Sequence, residues 1–202
     1  MRKQKIQFIV LLAVLAALLS SLLLIRAWNR KEDAAKEEET IRLINLDASA
    51  VSGITVYDPT EGKAASIQDM RYDLLRSSDD GSWFVSDDWT KSSLPTAKGD
   101  TVSEMLDAVV QLTGSNRIEA VSDLSQYGLV QPSLRIVLKT KGNAGDTVIE
   151  IGDLSTAASM YYARVYPDGE ESGDVYLITT LVKSLYDVQP DTLIASDTDT
   201  GS

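Results

Sequence analysis

Two pairs of neighbouring carboxylates and one hydroxyl–lysine spacing are the places in this chain where residue types could do chemistry. Asp79-Asp80 and Asp87-Asp88 flank Trp83, and carboxylates so placed can hold Ca²⁺ or share the work of general acid and base. They also fall at the ends of a hairpin pattern, where Asp is expected for turn chemistry. Asp79-Asp80-Gly81 is too short for a calcium loop, which alternates oxygen ligands around a fixed glycine. Thr180 and Lys183 stand one helical turn apart, the separation of a hydroxyl nucleophile and its lysine base. No companion motif accompanies them, and Thr180 suits a helix N-cap. Tyr127, Tyr161, Tyr162, Tyr176 and Trp83 are amphipathic aromatics of the kind that line grooves and partner surfaces, or pack on a sheet. Tyr161 and Tyr162 are adjacent on a strand, so only one of them can join any one patch. The surface favoured for a partner is Tyr127, Gly128 and Leu129, with Trp83 and Tyr162 as further candidates.

What is missing narrows the chemistry further. The chain has no cysteine and no histidine, which removes disulfides, thiol nucleophiles, His-dependent zinc sites and Ser-His-Asp triads. It has no G-x-S-x-G, no P-loop and no G-x-G-x-x-G, so no catalytic residue, cofactor site or metal site is assigned. All 30 acidic residues follow Lys31, and against them stand 13 of the 19 basic ones, leaving −17 on residues 32–202. Such a surface repels nucleic acid and anionic headgroups, so no nucleic-acid partner is expected.

These residues must be held by something, and the first element is a membrane segment. Ile6 to Ile25 is a run of twenty residues without a charge, flanked by Arg2, Lys3 and Lys5 and by Arg26, Arg30 and Lys31. At about 1.5 Å per residue such a helix spans roughly 30 Å, the thickness of the hydrocarbon core. Ile25-Arg26-Ala27 is a poor signal-peptidase site, which favours a permanent anchor over a cleaved signal and a secreted product. The reading is a single-pass protein of the cell membrane, with a basic cytoplasmic head at 1–5 and an anchor at 6–27. A charged spacer at 28–40, an extracytoplasmic domain at 41–190 and a disordered polar tail at 191–202 follow.

Within the domain, Val51 to Tyr57 alternates as a strand, and Arg71–Ser77 and Ser82–Val85 flank the hairpin signal Ser78-Asp79-Asp80-Gly81. Thr101 and Glu104 have capping-box spacing ahead of the stripe Val102, Met105, Leu106, Val109 and Leu112, with Gly114 as the helix terminator. A strand is expected around Arg117 to Val121. The segment Ser122 to Leu129 then reads as a capped single turn with a left-handed exit at Gly128, a rigid corner. Leu134 to Lys139, the stretch through Ile149 and Ile151, Met160 to Tyr166 and Val175 to Ile178 read as four strands of an antiparallel meander. A short helix from Leu181 to Tyr186 follows, burying Leu181, Val182 and Leu185. The fold class is α+β: a transmembrane helix, then one mainly antiparallel sheet domain with one main packed helix and short helical turns.

Trp83, Pro95, Asp100, Asp123 to Leu129 with Pro132, Ile151-Gly152, Tyr161-Tyr162-Ala163 and Val175 to Ile178 together resemble the bacterial family catalogued as domain of unknown function 4340. The resemblance covers most of Ile41 to Tyr186, and its most specific piece is Tyr127-Gly128-Leu129 followed by Pro132. It implies a membrane-anchored layout and an accessory role beside an ABC-type permease or another envelope protein. No activity is implied. The alternative, from a different class, is a ligand-binding or metal-dependent hydrolytic ectodomain built on the Asp pairs.

Overall fold

The computed structural model describes residues 40–59, 70–86, 93–142, 145–169 and 173–196. The expected head, anchor and most of the spacer lie outside these residues, as do Asp87 and Asp88. No helix among the described residues is long and apolar enough to cross a membrane.

The described residues form nine strands and two α-helices. The strands are β1 (Ile41–Arg42), β2 (Val51–Tyr57), β3 (Met70–Arg76), β4 (Trp83–Ser86), β5 (Thr113–Ile118), β6 (Leu134–Thr140), β7 (Thr147–Ser155), β8 (Met160–Tyr166) and β9 (Val175–Ile178). The helices are α1 (Gly99–Val110) and α2 (Thr180–Tyr186). All strands join one sheet in the order β1-β5-β9-β8-β7-β6-β2-β3-β4, and every pairing is antiparallel. The class is α+β, and β6 to β9 form the meander that their alternation implies.

Side chains alternate across a sheet, so register decides which residues share a face. Ile54, Leu74 and Val85 lie in one row across β2, β3 and β4, and Ile136 and Ile149 pair across β6 and β7. These residues form one apolar core with Val102, Met105, Leu106 and Val109 of α1 and with Val182 and Tyr186 of α2. Burying a Leu or Ile side chain fully contributes about 1.5–3 kcal/mol, so this face carries most of the stability. Two tyrosines bind its layers together. Tyr72 donates from β3 to the carbonyl of Tyr186 at 2.9 Å, and Tyr186 donates to the carbonyl of Met105 in α1 at 2.8 Å. Burial pushes the Tyr186 phenol well above its ordinary pKa.

Several local expectations are corrected. α1 starts at Gly99 with Lys98 as N-cap, so Thr101 sits inside the first turn and makes no capping box. Tertiary contact sets that start: the Lys98 N–H donates to Leu193 O at 2.8 Å, and its ammonium donates to Thr192 O at 3.0 Å. Gly114 does not end the helix. It lies in β5 opposite Ile41, where a Cβ would stand 2.7 Å from a Leu43 methyl and 3.2 Å from Leu177 O. The strand expected around Arg117 to Val121 runs earlier, because Glu119 and Ala120 already turn the chain and Asp174 accepts the Ala120 N–H at 3.0 Å. Thr179, not Thr180, caps α2, and Leu181 is 48% exposed while Tyr186 is buried in its place. The start of the tail expected to be disordered from Asp191 is structured: Pro190–Leu193 forms a 3₁₀ turn, Leu193 is buried, and Ile194 bridges Ala97, while residues 197–202 lie outside the described ones.

Candidate interaction surface

The connection from β5 to β6 must cross three strands, since β9, β8 and β7 lie between them. It does so on the face opposite the helices, and the corner is its centre. Asp123 Oδ1 accepts from the Ser125 N–H at 3.0 Å and from the Ser125 hydroxyl at 2.6 Å, which holds the Asp123 carboxyl below its ordinary pKa. Ser125–Tyr127 makes one 3₁₀ turn, Gly128 exits at φ 66°, and the Leu129 N–H closes on Leu124 O at 3.1 Å. The corner lies directly on β7. A Cβ at Gly152 would stand 2.1 Å from Tyr127 O, and one at Gly128 would stand 2.8 Å from the Asp153 nitrogen. Two glycines thus let two backbones touch, in step with the irregular register of β7 between Ile151 and Leu154.

The residues singled out in the sequence separate into two groups. Tyr127 and Tyr162 meet edge to face, with ring centroids 4.9 Å apart, and Gly128 adjoins them. Leu129 is 2% exposed and serves as the anchor under the corner, not as surface. Trp83 is also buried, on the helix-packed face of β4 with Arg76 over its ring at 5.6 Å, and four strands separate β4 from β8 in the sheet order. Tyr161 faces the helices, where the Lys183 ammonium sits 5.5 Å from its ring. Tyr176 turns its hydroxyl to Asp174 at 3.5 Å.

Three residues were missed by pattern reading. Val130, Leu154 and Leu181 are the large apolar side chains most exposed among the described residues, at 70%, 45% and 48%. The strand directions gather them. β6 starts, β7 ends, β8 starts and β9 ends at one end of the sheet; Val130 precedes β6, Leu154 is near the end of β7, and Leu181 follows β9. The Tyr127 corner delivers the chain to this same end. Leu181 was hidden in the sequence because it continues an apolar helical pattern whose burial only the sheet could decide.

The chemical candidates resolve into structure. The Ser82 hydroxyl, together with the Ser82 N–H that Asp80 accepts at 3.0 Å, pulls the Asp80 carboxyl down to about 2, and the Ser77 hydroxyl accepts from the Asp79 N–H at 3.2 Å. This is turn chemistry around Gly81, whose φ is 78°. Lys183 turns to the Ser133 hydroxyl at 2.9 Å and to Asp187 at 3.4 Å, away from any pairing with Thr180. Ser133 in turn donates to Ile151 O at 3.0 Å, so this second hydroxyl–lysine contact ties α2 to β6 and β7. Among the described residues no group of three or more His, Cys, Asp and Glu could hold a metal ion.

The corner's face also carries two buried polar networks. Thr55, Asp73 and Ser86 lie in one row across β2, β3 and β4, and Ser86 Oγ is buried there without a hydrogen-bond partner among the described residues. Asp73 is fully buried, accepts from the Thr55 hydroxyl at 2.7 Å and pairs with Lys139 at 3.2 Å. Desolvation raises its carboxyl pKa, opposed by Thr55 and Lys139. In the second network Glu150 stands between Arg135 and Arg164 on β6 and β8.

No curated protein and no solved structure matches the chain. The family model described as Domain of unknown function (DUF4340) matches residues 88–198, more than half of the chain and including the whole corner. The chain therefore belongs to the DUF4340 family.

Proposed function

We propose that this protein is a single-pass, membrane-anchored interaction module whose extracytoplasmic α+β domain is accessory to an ABC-type transport or cell-envelope complex. The uncharged run Ile6 to Ile25 supports the anchor, and the acidic load behind it supports export of the domain. The observation that carries the interaction role is the gathering of Val130, Leu154 and Leu181 at one end of the sheet, beside the rigid Tyr127 corner. Exposed apolar side chains that converge on one end of a domain mark a contact surface, whereas singly scattered ones need no explanation.

The test is co-isolation of the full chain from its own membranes in mild detergent. A multi-span permease is expected to accompany the wild type and to be lost from the triple variant Val130→Ser, Leu154→Ser, Leu181→Ser, which keeps its thermal transition. A protease added outside intact cells should remove the domain. Resistance of the domain in intact cells, or recovery of the same proteins with the triple variant, contradicts the reading.

A further inference from the structure

Arg135 stands near the start of β6 on the corner's side of the sheet, directly between Tyr57 of β2 and Glu150 of β7. Its Nε is buried and has no acceptor among the described residues. Its ion pair among the described residues is loose, with Nη1 3.8 Å from Glu150 Oε1. The other carboxylate oxygen of Glu150 is already well supplied: Arg164 reaches Oε2 at 2.7 Å and the Tyr166 hydroxyl reaches it at 2.9 Å. A guanidinium presents a planar fork of donors and cannot shed its proton, so a buried N–H left without an acceptor carries its desolvation cost uncompensated. Buried donors are nearly always satisfied, so an exception calls for an acceptor, supplied by an ordered water, by a shift of Glu150 or by a bound group.

Charge and shape indicate the partner's chemistry. Arg135 and Arg164 against Glu150 leave one positive charge in excess, inside a region that carries −17. The Arg135 side chain is 30% exposed while its Nε is buried, so the guanidinium has to turn before a group from outside can meet that N–H. Gly152 follows Glu150 by two residues, so the contact of the corner with β7 lies roughly 7 Å along the strand from Glu150. Gln131 ties the far end of the crossover to Pro59 O at 3.4 Å.

We propose that Arg135 is the receptor for a single carboxylate, an acidic side chain or C-terminus presented by a partner polypeptide, seated between Tyr57 and the corner. Turning the guanidinium about its last torsion brings its Nε–Nη edge to the incoming oxygens, the bidentate geometry that carboxylates favour. One excess positive charge matches a monoanion. A dianion such as phosphate would leave a charge unmatched beside Glu150. The competing outcome is that Arg135 closes the gap to Glu150 and needs no partner. The inference does not depend on the proposed role at the membrane.

The test uses the full chain in neutral detergent, labelled with ¹⁵N at arginine Nε and titrated with sodium acetate, a blocked glutamate peptide or inorganic phosphate at constant ionic strength. One arginine Nε–H signal should move downfield saturably with acetate and with the peptide, and far less with phosphate. Arg135→Gln and Arg135→Lys should both lose the response while retaining the wild-type melting temperature within a few degrees. Glu150→Gln, which removes the competing carboxylate, should tighten acetate binding about fivefold. The proposal is overturned by any of three results: no saturable shift, tighter binding of phosphate than of acetate, or a signal already downfield without probe that Glu150→Gln moves back.

Discussion

On β6, Leu134, Ile136 and Leu138 are fully buried in the core shared with the helices, while Arg135, Val137 and Lys139 alternate with them on the other side. The same division runs through β3, where Tyr72 and Leu74 flank Asp73, and through β7, where Ile149 and Ile151 flank Glu150. One face is held by apolar burial, which is nondirectional and tolerant of exact geometry. The opposite face is held by directed pairs: Thr55–Asp73–Lys139, Arg164–Glu150–Tyr166 and the corner laid on Gly152. Directed pairs are costly when incomplete, and among the described residues two buried atoms on this face, Arg135 Nε and Ser86 Oγ, have no partner.

If that division is right, substitutions should sort by face. Ile136→Ala, on the helix side, is expected to cost about 3–4 kcal/mol by urea denaturation of the full chain in detergent, through lost transfer energy and an unfilled cavity. A cost no larger than that of Val137→Ala on the other face would break the division. Gly152→Ala drives a Cβ against the Tyr127 backbone and should cost about 2–3 kcal/mol, while exposing the corner to proteolysis near Tyr127. Unchanged protection there would show that the corner does not rest on β7.

Lys139→Met strips the buried Asp73 of its cation and should cost about 2 kcal/mol at neutral pH. The sign with pH is definite. Burial raises the Asp73 carboxyl pKa, so the folded chain holds this proton to higher pH than the unfolded chain does. Stability from this group is therefore greatest below the ordinary carboxylate pKa and falls as pH rises through the folded value. The cost of Lys139→Met should shrink towards zero in acid. Asp187 has the opposite sign, because the Arg71 guanidinium lowers its carboxyl pKa. Its contribution is present above the ordinary carboxylate pKa and disappears as pH falls through the folded one. Asp187→Asn should cost only about 0.5–1 kcal/mol at neutral pH and nothing in acid, since the pair is partly exposed. Smallest of all, Val130→Ser with Leu181→Ser should change stability by no more than about 0.5 kcal/mol, as expected of surface positions.

Strong alternation made much of this fold legible in advance. Val51 to Tyr57, Met160 to Tyr166 and Val175 to Ile178 carry their own periodicity, and the corner from Asp123 to Leu129 carries its own local bonds. β5 was displaced in the reading because Gly114, Ser115 and Asn116 have no apolar alternation, and Asn116 takes φ 50°. The start of α1 was missed because Leu193 and Thr192, more than ninety residues away, set it through Lys98. Among the site residues, local chemistry pointed to Tyr127, Gly128 and Tyr162. It could not say that Leu129 would be the buried anchor, nor that Val130, Leu154 and Leu181 would share one end of the sheet, because that depends on strand direction across four strands.

The interaction role requires a partner at that end of the sheet. A photoreactive phenylalanine derivative placed singly at Val130, Leu154 or Leu181, or at Ser78 on the exposed β3–β4 turn at the opposite end, and irradiated in intact cells, tests this most directly. A discrete adduct with one integral membrane protein is expected from the first three positions and none from Ser78. Adducts of equal yield from Ser78, or none from any of the three, would contradict it.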